Sequence, residues 1–262
     1  MPRLISRAIG GGLVKVIHTR LHRSQEEGLE ALAPELWRWV RSYGAPPRPL
    51  RRPRRAKLGE PERVERPASR DRAERILDAA TARIAAEGYL ATTMGAIAAA
   101  AGVSPRTLAK HFDDKAEVMG AAFDRGQARM LAAALPAARR AKDWPGSVRA
   151  AIAAMLAFLT SEPDFARLGL LETYGAGAAV LERRDRTLEA MQSLLEPGLE
   201  RAPGLGAIAG EGIGGAIYSL MHDEVRARGP EGIEAVLAPA TFLALAPFLG
   251  AEQACAVANG GG

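Results

Sequence analysis

The sequence predicts an all-α protein in three parts: a largely disordered basic extension with short helices over residues 1–70, a helix-turn-helix head over 71–131, and a larger helical body over 132–262. Three observations carry this expectation. Alanine dominates, β-branched runs are scarce and aromatics make up only 5%, a mix that favours helix throughout. Apolar residues recur at helical spacing from Asp71 onward. Residues 93–112, TMGAIAAAAGVSPRTLAKHF, spell two short helices joined by a tight turn.

Taken in chain order, the extension opens on a rough apolar stripe of Leu4, Ile5, Ala8, Ile9, Leu13, Val14 and Ile17, broken by Gly10-Gly11-Gly12. A cleaner stripe follows in Leu29, Leu32, Leu36, Trp37 and Val40, with Pro34 near its start. No secretory signal is expected, because three glycines interrupt the apolar part and no cleavage site follows. Prolines at 46, 47, 49, 53, 61 and 67 argue against regular structure over residues 44–69. Residues 1–70 hold 16 Lys or Arg against 7 Asp or Glu, and the remainder 19 against 23, so the overall charge of +5 conceals a basic extension on an acidic body. Its densest part includes Arg51, Arg52, Arg54 and Arg55, either an arm that follows a nucleic-acid backbone or a solvated linker. Two other readings of the extension stay open. One is a membrane-surface role. The other starts the working protein near Val64 from a non-methionine codon, since no methionine lies between Met1 and Met94.

The head begins with an amphipathic helix from Asp71 to Glu87, burying Ala73, Ile76, Leu77, Ala80 and Ile84 and closing on Gly88 and Tyr89. Thr93 caps the next helix on the amides of Gly95 and Ala96, with Ile97, Ala98 and Ala101 inward. Gly102 ends it in a left-handed conformation. Ser104 and Pro105 then supply a cap and a first-turn proline for a helix reaching His111, with Leu108 and Phe112 inward and Thr107, Lys110 and His111 outside. Asp113 and Asp114 cap a third segment from Lys115 to about Leu131.

Further along, helices are expected from Ser147 to Thr160, Phe165 to Tyr174, Ala178 to Leu199, Ile208 to Arg226 and Ile233 to Leu249. In the third of these, Arg183, Arg184, Asp185 and Arg186 are expected mostly outside. The glycines of GEGIGG, Gly210 to Gly215, follow no strand and precede no lysine, so close helix packing accounts for them better than a phosphate loop. The longest uninterrupted apolar run, Ala151 to Leu159, is too short to span a bilayer, and no membrane is expected as a partner. A lone Cys255 excludes an internal disulfide and fits a cytoplasmic location. His18 and His22 share a helix face without a third ligand, and no nucleophile, dinucleotide or metal motif appears. No metal, cofactor or enzymatic activity is therefore expected.

Arg75-Ile76-Leu77-Asp78-Ala79-Ala80, Gly88-Tyr89, Thr92-Thr93, Ile97-Ala98, Ala101-Gly102-Val103-Ser104, Leu108, His111-Phe112 and Lys115 together resemble the amino-terminal domain of the TetR family, bacterial transcription regulators that are mostly repressors. The resemblance is close over residues 71–131 and looser beyond. It implies a homodimer joined through its last two long helices, double-stranded operator DNA as partner, and a helical body that binds a small hydrophobic ligand and dimerises. Carried over by position, Thr93 touches a phosphate, Ser104, Arg106 and Thr107 face the major groove, Lys110 and His111 lie along it, and Lys115 clamps a phosphate. Ala109 stands where the family usually has tyrosine, removing one backbone contact. Arg106, often glycine in relatives, either reads a guanine or is solvated. The ligand pocket is expected among Met155, Phe158, Phe165, Leu168, Glu172, Tyr174, Met191, Tyr218 and His222. A ligand-responsive dimeric repressor is the leading reading. A low-specificity nucleoid-type binder driven by the arginine arm is the alternative, and a helical enzyme containing a helix-turn-helix is the weakest.

Overall fold

A computed structural model describes residues 1–22, 26–51 and 71–261, without the side chain of residue 26. Among them there is no strand. The helices are α1 (Arg3–His22), α2 (Leu29–Arg41), α3 (Arg72–Glu87), α4 (Met94–Ala100), α5 (Pro105–Leu108), α6 (Lys115–Arg139), α7 (Trp144–Ser161), α8 (Pro163–Arg167), α9 (Ala178–Gln192), α10 (Glu196–Arg201), α11 (Gly206–Arg228) and α12 (Leu237–Ala258). A π-helical turn, Leu168–Glu172, continues α8.

The head is α3 to α5 with the first turns of α6. Asp71 accepts the Ala73 amide at 3.0 Å to start α3, whose Ile76, Leu77, Ala80 and Ile84 face inward. They meet Ile97, Ala98, Leu108, Val118, Met119 and Phe123, all buried. At the start of α6 the Asp114 carboxylate accepts the Glu117 amide (2.8 Å) while Glu117 accepts the Asp113 amide (2.5 Å), so the sharp turn into this long helix is satisfied from both sides. α6 runs past its expected end at Leu131 and spans roughly 37 Å at 1.5 Å per residue, one rod shared by head and body. Arg125, midway along it, pairs with Glu74 (2.8 Å) and Asp78 (2.9 Å) of α3 and ties the rod to the head.

In the body, α12 is the central element. Residues 237–246 are all buried, and the chain bends at Gly250, where φ is +77°. Pro230–Ala258 is apolar and long enough to cross a membrane, longer than the runs the sequence had suggested, yet most of it is enclosed by the surrounding helices.

The extension departs from expectation. Instead of short helices in a largely disordered segment, residues 3–22 and 29–41 form a helical hairpin packed on α11 and α12. Ile5, Val16 and Trp39 are fully buried, and Tyr43 donates its hydroxyl to the Leu243 carbonyl at 2.8 Å. Burial pushes the Tyr43 phenol up from its ordinary value, keeping it a donor. Gly10-Gly11-Gly12, read as an interruption, lies inside α1. Gly11 rests on Ser219 and Gly12 on Gly212 and Trp39, so the absence of side chains lets two helices touch, and that contact outweighs glycine's poor helix propensity. The glycines of α11 serve the same packing, as expected, but within one chain. On α11, Gly212 and Gly215 meet the hairpin, whereas Gly210 faces Gln192 and Gly214 faces Leu188.

Candidate nucleic-acid interface and its link to the body

Thr93 accepts the Ala96 amide at 3.2 Å and starts α4, a single cap rather than the expected pair. α4 ends in a paired hydrogen-bond motif: Val103 N–H to Ala98 O (3.0 Å) and Gly102 N–H to Ala99 O (3.2 Å). This requires a left-handed residue at 102, and Gly102 has φ +64°. Ser104 then caps α5 by accepting the Thr107 amide at 3.1 Å, and its hydroxyl pairs with that of Thr107 at 2.9 Å. Beyond Leu108 the chain tightens into turns, with His111 N–H to Leu108 O at 2.9 Å, so the regular helix stops three residues before the expected end.

Leu108 is buried and Phe112 half-buried beneath this turn, which leaves Ser104, Arg106, Lys110 and His111 exposed and Thr107 half-buried. Thr93 is exposed at the start of α4. The two short helices thus present hydroxyls, two cations and an imidazole from one compact support.

Lys115 sits differently. Its ammonium donates to the carbonyls of Tyr89 (2.6 Å) and Thr92 (2.8 Å), lies 3.4 Å from that of Leu90, and stands 4.3 Å from the Tyr89 ring centre. Its three donors are directed at the loop before α4 rather than outward at a phosphate. The start of α6 packs against that loop, and its carbonyls lack helical partners, so the nearest cation satisfies them.

The same loop is held from the body. Glu172, at the end of the π-helical turn, accepts the Tyr89 amide at 2.7 Å. One residue, Tyr89, is therefore gripped on its N–H by the body and on its carbonyl by α6. Behind Glu172, the Tyr218 hydroxyl lies 3.4 Å from the Gly169 carbonyl, 3.2 Å from that of Leu170 and 3.2 Å from the Thr173 hydroxyl. The Arg184 guanidinium stands 5.1 Å from the Tyr218 ring and 4.9 Å from that of Tyr174.

Arg184 and Asp185 are buried, not exposed as expected from their charge. Arg184 donates twice to Asp185 Oδ1 (3.1 and 3.0 Å), and Lys15 pairs with Asp185 Oδ2 at 3.1 Å. Burial opposes ionisation of Asp185, but Arg184 and Lys15 hold its carboxyl below the usual range. Burial also pushes the Lys15 ammonium below its ordinary value, against the pull of Asp185. Lys15 comes from α1, so this cluster was invisible without the hairpin's position. A cleft of about 430 Å³ opens beside it, lined by α1, α9 and α11, with Thr19, Leu188, Gln192 and Glu211 among its walls.

The nine expected pocket residues do not line that cleft. Met155, Phe158, Phe165 and Leu168 are core, with the Phe158 and Phe165 rings 5.9 Å apart. Tyr218 is buried and Met191 half-buried, whereas Tyr174 is half exposed and His222 lies beside Asp223 at 3.4 Å. Glu172 belongs to the junction described above. Of the arginine arm, Arg51 is exposed and its amide donates to the Asn259 side chain at 2.7 Å, while Arg52, Arg54 and Arg55 lie outside the described residues. The His18 and His22 imidazoles approach to 3.1 Å, and among the described residues no group of three or more metal-ligating side chains occurs.

Residues 76–122 match the family model of bacterial regulatory proteins, tetR family. Over that stretch the chain is similar to the TetR family. The chain shares its fold with the fatty acid degradation regulator FadR of Bacillus halodurans (21% identity, TM-score 0.56, 68% of this chain and 97% of that one). FadR of Bacillus subtilis, solved in complex with stearoyl-CoA, is similar at 16% identity and TM-score 0.55, over 68% of this chain and 98% of that one. A TetR-like regulator from Rhodococcus sp. RHA1 aligns at 27% identity and TM-score 0.50, over 68% and 96%. No curated protein matches the sequence. The protein is a DNA-binding transcription regulator rather than an enzyme.

Proposed function

We propose that this regulator represses by occupying an operator and is released from it by a small hydrophobic molecule held in the helical body. The observation that carries the first half is the exposed set Thr93, Ser104, Arg106, Lys110 and His111 on two short helices whose inner residues are anchored in the head core. Hydroxyls and a protruding amino-terminal helix turn suit phosphates, and Arg106 and Lys110 reach guanine edges in a major groove. The Thr107 hydroxyl pairs with that of Ser104, so one of the two O–H donors stays free for a phosphate. Lys115 acts through the Tyr89–Thr92 loop, positioning Thr93 rather than touching DNA itself.

Support for the second half comes from the Glu172–Tyr89 hydrogen bond. A ligand that favours a body conformer in which the π-helical turn shifts would loosen one side of the grip on the head, lowering DNA affinity by its preference for that conformer. Apolar side chains such as Met155 and Phe158 form the interior that a lipophilic molecule would enter. The stearoyl-CoA held by Bacillus subtilis FadR makes acyl-CoA a reasonable first compound to try.

A gel shift with the DNA upstream of the protein's own gene, against unrelated DNA at two salt concentrations, tests the reading. A repressor keeps its preference at the higher salt. Loss of both complexes together would favour the low-specificity binder suggested by the basic extension, whose affinity comes from counterion release.

A further inference from the structure

We propose that the cleft beside Lys15 is a second ligand site, built for a small zwitterion with an apolar tail, of the class of a free aliphatic amino acid. It is separate from the apolar interior suited to a lipophilic effector, and the inference stands whether or not such an effector acts.

The composition of the walls is the first support. α1, α9 and the first turns of α11 enclose about 430 Å³, and no residue of α12 lines it. Leu188 and Ile208 give it an apolar side. The remainder is polar and carries both signs of charge, with Lys15 and Arg20 from α1, Asp185 from α9 and Glu211 from α11.

Most of these charges engage one another. Arg20 donates to both oxygens of Glu211, at 3.1 and 2.8 Å, and Asp185 divides its oxygens between Arg184 and Lys15. Two polar groups are left open. Lys15 is only 8% exposed, and its ammonium donates to the Thr19 hydroxyl at 2.5 Å and pairs with Asp185 at 3.1 Å. An ammonium carries three donors, so one N–H has no acceptor among the described residues. The half-buried Gln192 amide on α9 likewise has no hydrogen-bond partner among them. Its Oε1 lies 3.5 Å from the place a Cβ on Gly210 would take, next to Glu211 in the chain.

The class of ligand follows from these groups. A carboxylate oxygen accepts the third Lys15 N–H and offsets the burial that works against the Lys15 charge. A bare anion would also face Asp185, Glu189 and Glu211, and a bare cation would face Lys15 and Arg20. A molecule with both signs pairs with each and sets no like charge unopposed against the wall. Its ammonium donates to Gln192 Oε1 beside Glu211, and a short aliphatic side chain rests on Leu188 and Ile208.

Equilibrium dialysis of the full chain against L-leucine, 4-methylpentanoate and 3-methylbutylamine tests this, since the two analogues lack the ammonium and the carboxylate in turn. Leucine is expected to be retained about tenfold more tightly than either analogue, the loss of one charge-assisted hydrogen bond. No retention of leucine at millimolar concentration, or equal retention of either analogue, would overturn the proposal. Lys15→Met removes the open donor and should weaken leucine about tenfold while leaving 3-methylbutylamine unchanged. Undiminished leucine binding in that variant would also overturn it. If Lys15→Met does not fold, Gln192→Leu decides, because it changes a half-buried side chain that holds no other part of the chain. It should bring leucine down to the level of 4-methylpentanoate, and unchanged leucine binding would again overturn the site. None of these readouts involves DNA, so their failure is separate from failure of the regulatory reading.

Discussion

The reading head and the amino-terminal hairpin are built from similar alanine- and glycine-rich helices, yet they hold together by different means. In the head, each turn is specified locally: Thr93, Ser104 and Asp114 cap the helix that follows them, and Gly102 supplies the left-handed residue at the corner. In the hairpin, α2 starts without a side-chain cap, the glycines of α1 disfavour helix, and the order of α1 derives from contact with α11. The head is thus a unit written in sequence neighbours. The hairpin is defined by residues some 200 positions away.

That contrast can be tested, beginning with the largest expected effect. Trp39→Ala should destabilise the protein by about 3–5 kcal/mol in denaturant unfolding, as large buried aromatics do, while leaving DNA binding of the folded fraction intact. A cost under about 1 kcal/mol would mean the hairpin is not part of the core. Glu172→Ala removes a charged acceptor from the Tyr89 amide and should cost about 1.5–3 kcal/mol of head anchoring, seen as faster exchange of that amide. Glu172→Gln, which keeps an acceptor, should recover most of the protection, and equal loss in both variants would remove the coupling role. Arg106→Ala should leave the melting temperature nearly unchanged yet relax preference at one base pair by about 1–3 kcal/mol, and unchanged preference would retire Arg106 as a reader. Gly102→Ala places a Cβ in left-handed backbone and should cost about 1–2 kcal/mol, confined to the head.

The smallest effect is on pH. Because the folded Asp185 carboxyl lies below its unfolded value, its contribution to stability is present above the ordinary carboxylate range and is lost as pH falls through the folded value. Lys15 acts at the alkaline end with the same slope. Its folded value is depressed, so stability rises as pH climbs through it. Asp185→Asn should flatten the acid limb of an unfolding-versus-pH curve, and an unchanged limb would place the buried charge elsewhere.

Much of the head was legible because its signals act over a few residues. The stop at Gly102, the restart at Ser104 and Pro105, and the inward Leu108 follow from backbone conformation and helical period alone. Lys115 was harder, since an exposed lysine near DNA and a lysine satisfying loop carbonyls look alike in sequence. Arg184 and Asp185 were harder still: charge argued for solvent, and only the arrival of Lys15 and two tyrosines made burial tolerable. Nothing near Glu172 in the chain announces that it reaches Tyr89, 83 residues away.

By itself, then, the sequence determined an all-helical chain with a helix-turn-helix head, the positions of its caps and corner, and the outward placing of Ser104, Arg106, Lys110 and His111, because capping, glycine conformation and helical periodicity are local. Only the tertiary structure decided that the glycines of α1 and α11 meet each other, that a buried cluster joins Lys15 to Asp185, and that the body grips the head through Glu172. Those outcomes depend on close approach between distant segments, and the attraction that drives it grows with buried surface rather than with any pattern a short window of residues can display.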